Sequence, residues 1–346
     1  MVTLGVLDQL PVFRGSTPSQ VIQESILLAQ SVEDLGYQRF WVAEHHSSGM
    51  ACASPEILVA AIAAQTKHIR VGSGGVMLPH YSALKVAESF RMLQALFPGR
   101  IDIGIGRGLG ASPLTRQVLN PREKVDDETY TQQIEDLIGF LHNNFPSDHS
   151  YQKIRAMPDG PGAPAFWLLG AGAFGVKIAA RLGLSFSFAQ FIRPTTEPEI
   201  LQTYRQTFQP GSFEDKPRAM VTVRVVCAET EEQAQRLARN FWVVNVQRTK
   251  ESPLSIFKQA GRLPAGEEVD QYHMTGEDEE FMQKNELMMI AGTPTQVKQR
   301  LLQLAADYQA EELMILTYIP DFQARLRSYE LLAEAFALTP APALVK

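Results

Sequence analysis

Glu44-His45-His46 follows directly on the short apolar run Arg39-Phe40-Trp41-Val42-Ala43, and imidazole is the side chain best matched to proton transfer near neutral pH. Neighbours in an extended segment point to opposite faces, so the two rings cannot readily share one ion. The familiar zinc spacings are absent and the remaining histidines form no ligand set, so no metal is expected. His45 is the candidate acid–base or hydrogen-bonding group. His46 is expected to point the other way, into structural hydrogen bonds, with Glu44 and His80 as neighbours that could share the site.

A second candidate is Gly170-Ala171-Gly172-Ala173-Phe174-Gly175, a formal G-x-G-x-x-G between an apolar run and an amphipathic stretch. As a dinucleotide fingerprint it comes late, after four strand–helix units, and the next run, Leu184–Ala189, ends at Gln190-Phe191 without a ribose-binding acid. What remains is a helix N-terminus with exposed N–H groups, suited to one phosphate, or glycines that serve only a tight turn. Arg107, between Gly106 and Gly108, offers a planar cationic fork for phosphate or carboxylate, or a rim salt bridge. Ser73-Gly74-Gly75 suggests backbone that side chains would obstruct, as where a ligand presses close. Cys52 lacks a basic neighbour and is not expected to be a nucleophile, and the methionines of 274–289 suit packing.

These residues sit at the ends of short apolar runs that alternate with amphipathic helices. Strands are predicted at Thr3–Leu7, Arg39–Ala43, Ile69–Ser73, Arg100–Ile105, Ala165–Leu169, Leu184–Ala189, Ala219–Val226 and Leu313–Thr317. Thr17-Pro18-Ser19-Gln20 and Thr293-Pro294-Thr295-Gln296 are capping boxes with proline in the first turn. The alternation lapses from about 107 to 164, where a long loop, a helix near Glu123–Asn143 and a Pro/Gly-rich tether are expected, and again from about 245 to 290. Strands separated by helices imply a parallel sheet, and eight of them imply a (β/α)8 TIM barrel with insertions; an open doubly wound sheet is the alternative. In both, function collects at the C-terminal ends of the strands.

The 346 residues suit one such domain spanning 1–346. A net charge of −6 argues against a nucleic-acid or anionic-membrane partner. Only Cys52 and Cys227 are present, too few for a disulfide framework. No basic segment followed by a long apolar run opens the sequence, and no run of about 18 apolar residues follows, which predicts a cytoplasmic protein.

The motifs Trp41-Val42-Ala43-Glu44-His45-His46, Arg70-Val71-Gly72-Ser73-Gly74-Gly75, Pro98-Gly99-Arg100-Ile101-Asp102 through Gly108, Trp167-Leu168-Leu169-Gly170-Ala171-Gly172 and Gly292-Thr293-Pro294-Thr295-Gln296-Val297 occur in an order that resembles the bacterial luciferase-like monooxygenase family. The resemblance implies a TIM barrel and oxygenation of a small organic substrate with reduced FMN (deazaflavin F420 in some relatives) and O2. It implies that His45 is the active-site histidine, and that Arg107 with backbone around Gly170, Ala171, Gly172, Ala173 and Gly175 holds the flavin phosphate. Gly74-Gly75 matches the family's non-proline cis-peptide region against the flavin ring, with Glu44 beside it. Light-emitting members carry a reactive cysteine where this chain has Gly106, so bioluminescence with a long-chain aldehyde is not expected. No second, NAD(P)H-oxidising domain is visible, so a separate reductase is expected to supply reduced flavin. A homodimer is expected, with residues 245–290 as a lid. The competing readings are an NAD(P)-linked dehydrogenase using Gly170–Gly175 and a flavin-binding protein without catalysis.

Overall fold

The computed structural model describes residues 2–108, 110–121, 126–160, 162–193, 197–251 and 261–340. Its strands are β1 (Thr3–Asp8), β2 (Arg39–Val42), β3 (Arg70–Ser73), β4 (Val76–Met77), β5 (Ile101–Gly106), β6 (Ala165–Gly170), β7 (Ser185–Ala189), β8 (Ala219–Cys227), β9 (Ile290–Gly292) and β10 (Glu312–Leu316). All eight predicted strands are present. They pair in parallel in the order β10-β1-β2-β3-β5-β6-β7-β8, and β8 pairs β10 to close the ring. The short β4 and β9 add only to the ends of β5 and β8. Closure excludes the open sheet, and with it the topological switch point at which a dinucleotide would sit.

Both capping boxes form. The Thr17 amide donates to Gln20 Oε1 at 2.9 Å and the Gln20 amide to Thr17 Oγ1 at 3.2 Å, opening the helix Pro18–Asp34. Thr293 and Gln296 repeat the exchange at the head of Pro294–Asp307. Outside the ring the helices bury one face each on the outward side of the strands, as Val21, Leu28 and Val32 do on the first.

The interruptions hold more structure than the sequence predicts. Within 107–164 a helix Pro113–Leu119 occupies part of the expected loop, with Ser112 Oγ accepting from the Thr115 amide at 3.1 Å and Pro113 in the first turn. The predicted helix near Glu123–Asn143 spans Asp127–His142, and residues 122–125 lie outside the described residues. The helix expected to end at Val244 continues to Glu251. Beyond it, helices Glu267–Asp270 and Gly276–Lys284 lead into β9. Part of this segment docks on the first loop of the barrel. The Leu263 amide donates to Val12 O and the Arg14 amide to Leu263 O, both at 2.8 Å, and Arg14 is ion-paired with Glu268.

The N-terminal end of the barrel interior is closed by charge. Arg39 on β2 is hydrogen-bonded to Asp102 on β5 and to Glu312 on β10, and Arg70 Nη2 lies 2.6 Å from Asp102 Oδ1. Trp41 Nε1 donates to Asp102 at 2.9 Å, and the Arg39 guanidinium lies 5.0 Å from the Trp167 ring centroid. Burial works against the charge on Arg39, but the two carboxylates outweigh it and raise its pKa.

Candidate active site

At the opposite end, past the C-terminal ends of the strands, lies a cavity of about 510 Å³. A larger groove lies on the outer surface between Glu56 and Pro158, but the chemistry-bearing residues converge here. Leu7, Trp41 and Ala43 form its base, and His45, Gly74, Gly75 and Met77 form one side. Gly106, Arg107, Gly108, Gly170 and Ala171 form one end, and Ser187, Ala189, Phe191 and Thr222 face the histidine side. Ring order explains the arrangement, since β2 and β7 stand four places apart in a closed ring of eight.

The neighbouring histidines diverge, as extended backbone requires. His45 lines the cavity and its amide donates to Cys52 O at 2.9 Å. His46 turns behind the wall, with Nε2 2.8 Å from Glu44 Oε1. Glu44, expected beside the flavin, is also not among the cavity-lining residues. Its fully buried carboxylate accepts from the Met77 amide at 2.9 Å and from the Tyr81 hydroxyl at 2.8 Å. Burial, and then the Glu44 charge, push the Tyr81 phenol well above its usual range, so it remains a donor. Glu44 therefore anchors the segment that carries Gly75 and Met77 to the cavity.

The Gly74–Gly75 peptide is cis. A Cβ on Gly75 would stand 2.7 Å from Gly104 O, so β5 itself denies this position a side chain and leaves bare backbone facing the cavity. Gly172 is different. It caps the helix Ala173–Arg181, and a Cβ there would meet no protein atom within 4 Å. The protein's own packing does not demand this glycine; it leaves open the approach to a helix N-terminus. Gly175, where a Cβ would lie 3.2 Å from the Phe186 ring, serves packing, and Ala173 borders a neighbouring groove with Lys177 and Arg193.

Arg107 forms a rim salt bridge and also faces the cavity. It lines the cavity, half-exposed, yet its Nη1 lies 2.6 Å from Asp127 Oδ1 and its guanidinium 4.6 Å from the Phe174 ring centroid. The Asp127 partner, on the helix of the insertion, was not identifiable from sequence. Also missed were Gln9, Phe191, and the hydroxyl pair Ser187 and Thr222, whose oxygens are 3.1 Å apart. A signal existed for the last: Thr222 and Arg224 interrupt the otherwise apolar β8 at alternate positions.

Cys52 and Cys227 are buried free thiols, and burial pushes each up to about 12. At pH 8 only about one such thiol in 10⁴ is ionised. Both are expected to resist Ellman's reagent in the native protein and to react on unfolding in guanidinium; rapid native labelling at Cys52 would show that the loop beside His45 opens readily.

A closed parallel barrel whose mouth joins a histidine, bare glycine backbone and a cation beside an open helix N-terminus defines the class, and sequence comparison gives the family. The chain belongs to the luciferase-like monooxygenase family, whose profile matches residues 2–310. It is 42% identical over 339 residues to the uncharacterized protein YceB of Bacillus subtilis, covering 97% of this chain and 100% of that one. It is 35% identical to the N-acetyl-S-alkylcysteine monooxygenase of the same organism, over 97% of this chain and 98% of the relative. The crystal structure of apo-MsnO8 superposes with a TM-score of 0.89 at 40% identity, covering 99% and 100% of the two chains. Two more distant structures share the fold: the FMN-bound oxygenating component of 3,6-diketocamphane monooxygenase from Pseudomonas putida (TM-score 0.70, 19% identity, 97% of each chain) and an F420-dependent secondary alcohol dehydrogenase (0.65, 16%, 96% and 98%).

Proposed function

We propose that this protein is a monooxygenase that binds reduced FMN, delivered by a separate flavin reductase, and uses O2 to oxygenate a small organic substrate. The observation that carries the reading is the convergence, on one cavity, of His45, the bare backbone of Gly74–Gly75, and Arg107 beside the open N-terminus capped by Gly172. These residues fit a phosphate-bearing flavin. Arg107 and the helix N-terminus supply charge and N–H donors for a phosphate, and the glycine backbone admits a flat ring without steric conflict. When bound, reduced flavin supplies the electrons that activate oxygen. That role fits FMN better than the hydride-carrying deazaflavin.

The chain does the rest. The apolar base formed by Leu7, Trp41 and Ala43 excludes water from the reacting centre. His45 holds or delivers a proton at the imidazole nitrogen that faces the cavity. Glu44, through the Met77 amide, fixes the wall on which the ring would lie. The decisive test is oxygen consumption with enzymatically generated reduced FMN. A protein that neither binds the reduced flavin nor alters its oxidation is not a flavin monooxygenase. Normal FMN binding with no coupled oxygenation across a broad substrate panel would favour a binding protein without catalysis.

Two further results are expected. Arg107→Ala weakens FMN binding about tenfold to a hundredfold, as loss of a charge-assisted contact does, and Gly172→Val weakens it by obstructing the helix N-terminus. Riboflavin, which has no phosphate, separates reading from folding. Wild type prefers FMN, and Arg107→Ala erases much of that preference; equal losses for both ligands would assign Arg107 to holding Asp127 and the insertion in place.

A further inference from the structure

The cavity holds a polar pair whose hydrogen bonding is incomplete among the described residues. On β7, Ser187 and Ala189 alternate with Phe186 and Phe188, and the two phenylalanines belong to the core beneath the helices. On β8, Met220 and Thr222 alternate in the same way with Val221 and Val223. Ser187 and Thr222 therefore point inward, and both line the cavity. Ser187 is level with Met220, so Thr222 stands one inward position nearer the mouth, with its Oγ1 3.1 Å from Ser187 Oγ. Each hydroxyl carries one hydrogen. One of the two hydrogens is spent within the pair, and the other goes to no further described residue.

The surroundings of this pair are uncharged. Ala189, Phe191 and Ile192 continue the wall. Gln9, beyond β1, adds a neutral amide whose Oε1 accepts from the Tyr318 hydroxyl at 2.7 Å. Among the residues that line the cavity, the ionisable ones are His45 and Arg107. His45 follows β2, opposite β7 in the ring, and Arg107 follows β5, where it is paired with Asp127. Arg224, the next inward position on β8, does not line the cavity: it is buried against Phe241, Tyr318 and Phe191, and its Nη1 donates to Met288 O. A charged ligand group on the β7–β8 side would thus be buried without a counter-ion, which is costly. A neutral acceptor oxygen there gains the unspent O–H.

Building on the flavin reading above, which sets the cofactor against β3, β5 and β6, we infer that the β7–β8 side of the cavity is the substrate-recognition wall. It selects uncharged, largely apolar molecules whose carbonyl-type oxygen accepts the unspent O–H of the Ser187–Thr222 pair. The hydroxyl that accepts within the pair is the one that donates to the ligand, and accepting one bond strengthens the bond it gives. Either residue can fill that role, because the two exchange it by rotating their O–H bonds. Ser187 and Thr222 are specificity residues in this arrangement and move no proton.

The test compares molecules of one skeleton that differ in charge and polarity. One set is 4-phenylbutan-2-one, butylbenzene, 4-phenylbutanoate and 4-phenylbutylammonium; the other is 2-octanone, octanoate and octylammonium. Binding to the flavin-free protein is followed by tryptophan fluorescence, since Trp41 lines the cavity, and does not depend on turnover. In at least one set the ketone is expected to bind about tenfold or more tightly than either ion. Removing both hydroxyls, Ser187→Ala with Thr222→Val, is expected to weaken the ketone about fivefold, the size of one neutral hydrogen bond, and to leave butylbenzene unchanged. Each single substitution keeps one hydroxyl with an unspent hydrogen, so its ketone affinity is expected to stay within about twofold. FMN affinity stays within a few-fold in all three variants. The double variant leaves no orphaned partner and is expected to fold; if it does not, the wild-type ranking decides by itself. An ion bound as tightly as the ketone in both sets, no ketone binding in either, undiminished ketone affinity in the double variant, or equal losses in the single and double variants overturns the inference. Failure of FMN binding in the wild type would overturn the flavin reading, whereas the ligand ranking is read without flavin and judges this inference alone.

Discussion

His45→Ala is expected to keep FMN affinity within a few-fold of wild type and to lose oxygenase turnover by about 10²–10⁴-fold, the usual contribution of a positioned acid–base group. Reduced flavin would still be oxidised, but the electrons would emerge as hydrogen peroxide and not as oxygenated product. The expectation follows from position. His45 is the histidine of the pair that lines the cavity, while His46 is held behind the wall by Glu44 and Tyr81. His46→Ala is therefore expected to cost stability more than coupling. The measurement is the ratio of product to O2 consumed, taken beside FMN titrations of both variants. A His45→Ala protein that couples oxygen use to product as wild type does would remove His45 from the chemistry.

The second large effect lies at the other end of the barrel. Asp102→Asn is expected to destabilise the protein by about 3–5 kcal/mol, the range for removing one member of a buried charge network. Asp102 is fully buried and bonded to Arg39, Arg70 and Trp41, so the variant leaves Arg39 with Glu312 as its one remaining carboxylate among the described contacts. Urea unfolding measures the loss. Flavin affinity below the unfolding transition is expected to stay within a few-fold, because this network joins the starts of the strands and meets the cavity base through Trp41. A loss under 1 kcal/mol would mean that water or rearranged neighbours satisfy Arg39 without Asp102.

The barrel was legible because short, mostly apolar runs bounded by turns alternate with amphipathic helices. Thr17-Pro18-Ser19-Gln20 and Thr293-Pro294-Thr295-Gln296 mark two helix starts by local hydrogen bonding alone, and both form as read. The helix Pro113–Leu119 carried the same kind of signal in Ser112-Pro113, but at seven residues it is too short for an amphipathic period to show. Of the site, the glycines and the His45–His46 pair were visible because their residue types are unusual at strand ends. Glu44 was visible too, yet its place behind the wall was not. Its partners Met77 and Tyr81 arrive from a later loop.

The sequence by itself determined the alternation of strands and helices, the ends at which function collects, the opposed faces of His45 and His46, and the family likeness. The family likeness rests on the order of motifs along the chain; the others are local properties, set by periodicity, capping and backbone geometry within a few residues. Only the tertiary structure decided that the ring closes between β8 and β10, that Arg107 meets Asp127, and that Ser187 and Thr222 share one wall opposite the histidine. The reason is physical. A strand buried on both faces gives no hydrophobic contrast to tell its inward side from its outward one, and contacts between distant segments depend on the order and stagger of the whole ring.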